Sequence, residues 1–166
     1  MSVINLHRCP CCSGKNYDDC CQIYISGHTS APTPEALMRS RYTAYSMANI
    51  TYIEKTMQGA ALRGFDACTA ERWAKRINWI KLEVKDAGLL SPERGFVEFL
   101  ATMVDGTRLV ILHEKSDFIL VQGLWYYTDG LQFPTPKKQL VSRNALCPCG
   151  SQRKYKNCHH LHRAPS

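Results

Sequence analysis

The chain has 166 residues, a net charge of +7 from 21 lysines and arginines against 14 acids, and nine cysteines. That length suits one main domain with its own core. There is no apolar run of the roughly eighteen residues a membrane helix needs, and the segment 1–8 lacks the apolar stretch of a secretory signal, so the expectation is a soluble, cytoplasmic protein without membrane insertion. An odd number of cysteines, gathered at the two ends, points to reduced metal-binding thiolates rather than disulfides.

The first element in chain order is a cysteine cluster, CPCCSGKNYDDCC, over residues 9–21. Two thiolates in Cys-x-Cys spacing and a second pair after eight intervening residues supply the four soft donors that zinc takes in a tetrahedron, provided the loop folds back. Ser13, Gly14, Asn16 and Asp18 suit that turn. Tyr17 is placed to shield the sulfurs. Residues 1–30 form this N-terminal knuckle, in which Arg8 and Lys15 balance Asp18 and Asp19.

Ala31-Pro32-Thr33-Pro34 reads as a linker ending in a helix start, with Thr33 as cap and Pro34 at the first helical position. Leu37, Arg41, Ala44, Tyr45 and Ala48 recur at helical spacing to about Asn49, and a short helix over Thr51 to Met57 follows. Gly59 and Gly64 loosen the chain. Trp73 and Ile77, four apart after the candidate cap Thr69, predict a third helix ending near Asn78. From Trp79 the period falls to two: Ile80, Leu82 and Val84 alternate with Lys81, Glu83 and Lys85. Three more strands are expected, about Gly95 to Val104, Arg108 to Lys115 running on toward Val121, and Leu124 to Thr128. Asp105-Gly106 and Gln122-Gly123 supply hairpin turns. Helices first and antiparallel strands afterwards make an α+β domain over 31–133.

Residues 134–166 begin with a Pro/Lys linker and end in a second cluster, CPCGSQRKYKNCH, over 147–159. Laid on the first cluster it matches Cys-Pro-Cys, the serine, the basic residue, the tyrosine and the closing ligand pair, an internal repeat. The candidate metal ligands are therefore Cys9, Cys11, Cys20 and Cys21 at one end and Cys147, Cys149, Cys158 and His159 at the other. Each set fills all four positions with protein, which favours two structural Zn2+ ions over a catalytic one. Neither knuckle has a core of its own, so its folding energy would come mostly from the metal, about 10 to 16 kcal/mol by analogy with zinc-finger peptides. Cys12 stands where the second knuckle has Gly150, and it competes on paper for the first site, as His160 and His162 compete with His159. From Lys137 onward seven basic residues and no acid hold the entire charge excess. Two loaded zinc sites would lower the net charge to about +4. The extended linker predicts ends that move relative to the core.

Both clusters resemble the SEC-C motif, CxCx8C[HC], the zinc module at the C-terminus of the SecA translocase motor. The whole chain resembles the YchJ-like family of bacterial proteins through LMRSRYTAY (37–45) and WYYTDG (125–130). The resemblance implies a nuclear-transport-factor-2-like cone, a curved antiparallel sheet of about four strands wrapped by helices, between the zinc ends. It also implies docking of a protein partner such as an export chaperone, or of the ribosome.

An adaptor function follows from that resemblance. A second reading is nucleic-acid or ribosomal RNA binding, with Arg153, Lys154 and Lys156 on phosphates and Tyr155 stacking on bases. A third is small-molecule binding or catalysis in the cone. The sequence carries no catalytic motif. His113, Glu114, Asp117, Asp129, Arg39, Arg41 and Tyr45 are the polar groups to weigh. His113 and Glu114, adjacent on a strand, point to opposite faces. Arg39 or Arg41 with Asp129 or Glu114 reads as a fold-stabilising ion pair. Trp73, Trp79 and Trp125 read as core, and Cys68 as a small buried hydrophobe.

Overall fold

In the computed structural model, residues 8–136 and 139–160 are described. Five helices precede the sheet: α1 (Gln22–Ile25), α2 (Pro34–Ser46), α3 (Ile50–Lys55), α4 (Gly59–Arg63) and α5 (Ala67–Arg76). Four long strands follow, β1 (Asn78–Ser91), β2 (Arg94–Asp105), β3 (Arg108–Val121) and β4 (Leu124–Phe133), then a two-residue β5 (Gln139–Leu140) and a 3-10 turn at Tyr155–Asn157. The order and type agree with the α+β expectation. No helix among the described residues is long and apolar enough to cross a membrane.

Thr33 caps α2 as predicted, its hydroxyl accepting from the Ala36 amide at 3.1 Å, with Pro34 in the first turn. The helix ends at Ser46 because Ala48 adopts φ +53° and Asn49 turns to cap α3, accepting from the Tyr52 amide. The cap of α5 differs from the expected one. Asp66 holds the Thr69 amide at 3.1 Å and the Thr69 hydroxyl at 2.9 Å, so Thr69 lies inside the first turn.

The strands pair in the order β1-β2-β3-β4, all antiparallel. Val97, Phe99, Ala101 and Met103 bury one face of β2, and α2 lays Leu37, Met38 and Tyr42 on it. Register shifts at Trp79/Lys81 and Val84/Asp86 in β1 and at Asp117/Phe118 in β3 mark bulges, which bend and twist the sheet. The alternation that marked β1 stops at Lys85, where the second bulge begins, yet the strand continues to Ser91. Beyond β4, Thr56 and Gln58 exchange backbone hydrogen bonds with Tyr127 at 2.9 Å each.

The described residues of both knuckles pack on this domain instead of moving apart from it. Cys9, Cys11 and Cys21 belong to the same buried cluster as Leu37, Tyr42 and Phe99. The Arg39 guanidinium donates to the Cys11 carbonyl at 2.9 Å, and the Leu82 amide donates to Cys12 Sγ at 3.5 Å. At the other end, β5 pairs with the start of β3 where β4 no longer reaches, and Cys147, Tyr155 and Cys158 pack with Ile80, Val104 and Val141. Lys137, Lys138, His162 and Arg163 lie outside the described residues.

Candidate metal centres

The eight predicted ligands gather into two clusters, Cys9/Cys11/Cys20/Cys21 and Cys147/Cys149/Cys158/His159, within each of which the donor atoms lie within 4.8 Å of one another. A zinc ion with Zn–S bonds of about 2.3 Å would set its sulfurs about 3.8 Å apart. Cys11 and Cys20 are 3.6 Å apart, Cys20 and Cys21 4.0 Å, and Cys149 and Cys158 3.6 Å. His159 Nδ1 stands 3.2 Å from the sulfurs of Cys147 and Cys158. The donor sets fit a tetrahedral metal ion.

The two knuckles repeat each other bond for bond. The Cys9 amide donates to Lys15 O and the Cys147 amide to Arg153 O, both at 2.8 Å. The amides of Cys12 and Gly150 each close a turn on the first cysteine's carbonyl at 3.1 Å. Ser13 and Ser151 reach Cys20 and Cys158 at 3.2 and 3.3 Å, and each serine also accepts the amide two residues on. That turn requires a left-handed residue after the second cysteine: Gly150 has φ +82° and Cys12 φ +61°. Cys12 is therefore a non-glycine residue in a glycine's conformation. Its sulfur turns away from the metal cluster toward the Pro10 carbonyl and the Leu82 amide, so it does not stand among the gathered ligands. His160 is likewise outside the ligand set, set edge-on to the Tyr155 ring at 5.6 Å.

Within each cluster the sulfurs lie at hydrogen-bonding distance from one another. Hydrogen bonds from Cys21 and Cys9 hold the Cys11 thiol far below its ordinary range. The matching bond to Cys11 pushes Cys9 up to about 11 and Cys21 higher still. Burial pushes Cys147 up to about 12. A metal must displace these protons to bind.

The surroundings of the knuckles differ. Asp18 and Asp19 are exposed on the first, Arg153 and Lys154 on the second. Tyr155, expected as a stacking platform, is 1% exposed, and its hydroxyl accepts from Asn78 Nδ2 at 2.6 Å. A buried ring cannot stack on a base, so that part of the expectation is corrected. A cleft of about 310 Å³ lies between the two knuckles, bordered by Cys9, Pro10 and Cys12 of the first and His159 of the second, with Ser46 and Asn78 from the domain.

The remaining candidates separate. His113 pairs with Glu98 at 2.8 Å, whereas Glu114 is buried on the opposite face. Arg39 pairs with Glu35 one helical turn away, and the exposed Asp129 hydrogen-bonds only the Gly130 amide among the described residues. Asp117 is exposed. The predicted arginine–carboxylate ion pair is absent among the described residues: Arg41 donates instead to the Ile53 carbonyl and the Thr56 hydroxyl. Trp125 is core and Trp73 and Trp79 pack against it, the latter two also bordering, with Tyr45, a cavity between α2 and the sheet. Cys68 is exposed, contrary to the expectation, because α5 fully buries only Ala74.

Comparison with known proteins places this architecture. Residues 33–130 match the model of the YchJ middle NTF2-like domain, and residues 143–161 match the SEC-C motif. A UPF0225 protein of Serratia proteamaculans is 39% identical over 161 residues, covering 90% of this chain and 96% of that protein. A UPF0225 protein of Geobacter sulfurreducens is 39% identical over 154 residues with the same coverage. The crystal structure of a SEC-C motif containing protein from Psychrobacter arcticus superposes with TM-score 0.66 at 32% identity, covering 97% of this chain and 99% of that one. The solution structure of a SEC-C motif containing protein from Rhodopseudomonas palustris gives 0.70 at 36% identity, covering 76% and 99%. Matched along nine-tenths of its length, with an NTF2-like middle domain and a SEC-C motif after it, the chain belongs to the UPF0225 family.

Proposed function

We propose that this protein is a cytoplasmic zinc-bound adaptor whose two SEC-C-like knuckles dock a macromolecular partner, an export chaperone or the ribosome by the resemblance to SecA. The observation that carries the reading is the pair of complete four-ligand clusters packed on one domain and facing a shared cleft. Each set leaves no open coordination position for water, which suits a structural ion rather than a reactive one. The exposed charges of opposite sign on the two knuckles favour a partner carrying both signs over a uniformly anionic one. The nucleic-acid reading retains only phosphate contacts through Arg153, Lys154 and Lys156, since Tyr155 is buried.

Two measurements test the proposal. Elemental analysis of the purified protein should return two zinc ions per chain. Affinity capture from the native cytoplasm should recover a protein or ribosomal partner that is lost when Lys154 and Lys156 are both replaced by Glu; neither side chain stands among the gathered ligands, whereas Arg153 donates to Cys158 Sγ at 3.7 Å and is left unchanged. Unchanged recovery of every partner from that variant and from chelator-treated protein would overturn the adaptor reading. Binding to ribosomal RNA alone, weakening steeply with salt, would replace it with the nucleic-acid one.

A further inference from the structure

The cavity between α2 and the sheet measures about 160 Å³ and is walled mainly by aromatic rings. Tyr45 stacks on Trp79 at 5.8 Å between centroids, and Trp73 stands edge-on to Trp79 at 5.2 Å. Two buried charged side chains share this space. Arg41, 6% exposed, lies over the Tyr127 ring at 4.7 Å and commits Nη1 to the Ile53 carbonyl at 2.8 Å and the Thr56 hydroxyl at 2.6 Å. Its Nε and Nη2 make no hydrogen bond among the described residues. Glu114, 8% exposed, accepts through Oε1 from the Ser116 hydroxyl at 2.7 Å and the Tyr127 hydroxyl at 3.1 Å. Its Oε2 makes none.

Among the described residues no side-chain polar atom sealed from solvent lacks a partner. The unbonded edges of Arg41 and Glu114 therefore border open space, and the space both residues line is this cavity. The guanidinium and carboxylate do not approach within 4.0 Å of each other, so neither satisfies the other directly. Two opposite charges removed from bulk water and held apart carry a desolvation cost that a molecule bridging them would offset.

The Glu114 side is fitted closely. A Cβ at Gly130 would overlap the Glu114 carboxylate and fall 2.7 Å from the Tyr127 hydroxyl, so only glycine there lets the carboxylate sit against the β4 backbone. The segments 37–45 and 125–130 singled out in the sequence meet here: the first supplies Met38, Arg41, Tyr42 and Tyr45, the second Tyr127 and the Gly130 backing. The metal knuckles do not account for this arrangement.

From this geometry we infer that the cavity is a binding site for a small, net-neutral, single-ring aromatic carboxamide. The volume of about 160 Å³ is close to that of the engineered cavity of about 150 Å³ that holds benzene, so one six-membered ring fills it. The aromatic walls favour a flat ring. The paired charges sum to zero, so an anion would meet Glu114 and a cation would meet Arg41 unfavourably. A primary carboxamide carries both complements on one carbon: its carbonyl accepts from Arg41 and its N–H donates to Glu114 Oε2.

Four probes of one ring and differing polarity test this on the zinc-loaded full-length chain: benzamide, benzoate, benzylamine and toluene, titrated by ligand-observed and protein-observed NMR with the Trp73 and Trp79 indole signals as reporters. Benzamide, with about nine non-hydrogen atoms, should bind in the millimolar range and shift both indoles. Benzoate and benzylamine should bind about tenfold more weakly, each leaving one charge unbridged, and toluene should leave both unbridged. Glu114→Gln removes the negative charge at nearly constant shape and should move the preference from benzamide toward benzoate. The inference fails if benzamide does not saturate, if the four probes bind equally in the unmodified protein, or if the ranking survives Glu114→Gln in a variant with native melting behaviour. The first two outcomes need no variant and are independent of whether the knuckles bind a partner.

Discussion

Replacing Gly130 by alanine tests the packing around Glu114 most sharply. The added methyl overlaps the carboxylate and crowds the Tyr127 hydroxyl. Gly130 has no left-handed φ, so its backbone tolerates alanine, and a strand position would by itself gain about 0.5 to 1 kcal/mol from the loss of glycine's freedom. Against that stands overpacking of about 1 to 3 kcal/mol, plus weakening of the hydrogen bonds from Ser116 and Tyr127 to a charged acceptor, about 1.5 to 3 kcal/mol each if lost. The net expectation is a destabilisation of about 2 to 3 kcal/mol, or a fall in Tm of roughly 5 to 10 °C for a chain of this size. The decisive form is a double-mutant cycle measured by urea unfolding of the zinc-loaded protein. Glu114→Ala alone leaves two hydroxyls without their acceptor, but it also vacates the space that the methyl needs. In that background Gly130→Ala should cost nothing or stabilise slightly, giving a coupling energy of about 2 kcal/mol or more. If the two changes add independently, the close approach of the Gly130 backbone to Glu114 is not what the glycine is for.

Other consequences are open to simpler assays. Thr33→Ala removes the hydroxyl that caps α2 and should cost about 1 kcal/mol, read as a shifted urea midpoint with unchanged slope. Tyr155→Phe deletes the acceptor for Asn78 and should raise amide exchange over 141–160 while zinc content stays constant; a fall in zinc would mean that this hydrogen bond also holds the ligands in place. Zinc retention should depend on pH with a fixed sign. In the metal-free clusters Cys9 is raised to about 11 and Cys147 to about 12, so both hold protons at neutral pH that the ion must displace. Affinity should then fall as pH falls, by about tenfold per pH unit for each proton displaced, and a chromophoric chelator competing between pH 7.5 and 5.5 would show it. Cys12→Ser should leave the stoichiometry at two ions, since Cys12 Sγ faces Pro10 and Leu82 rather than the cluster.

The two cysteine clusters were legible because a tetrahedral donor set demands a fixed spacing along the chain, and the hairpins because Asp105-Gly106 and Gln122-Gly123 supply the left-handed turns seen at Gly106, Gln122 and Gly123. Elements without periodicity were not legible. α1 and α4 have four and five residues, too few for a helical repeat to register, and α4 starts at a glycine. β4 runs on to Phe133 through Asp129-Gly130, a pair that reads as a turn in isolation but here lies against β3. Tertiary partners were hidden altogether. Nothing near Tyr155 in sequence reveals Asn78, 77 positions away, which draws the ring inward. Arg41 and Glu114 looked like an ion pair because sequence shows charge without distance, and the cavity that holds them apart exists only once α2 is laid across the sheet.

The outermost strands give the first knuckle a second significance. β1 and β4 are the edges of the long-stranded sheet, and an unpaired edge is a template for another chain. Beside β4, the backbone at 56–58 occupies the hydrogen-bonding positions around Tyr127. Beside β1, Cys12 takes the Leu82 amide, and its left-handed turn sets that sulfur against the strand. The first knuckle thus lies where a neighbouring strand would otherwise begin to pair with β1.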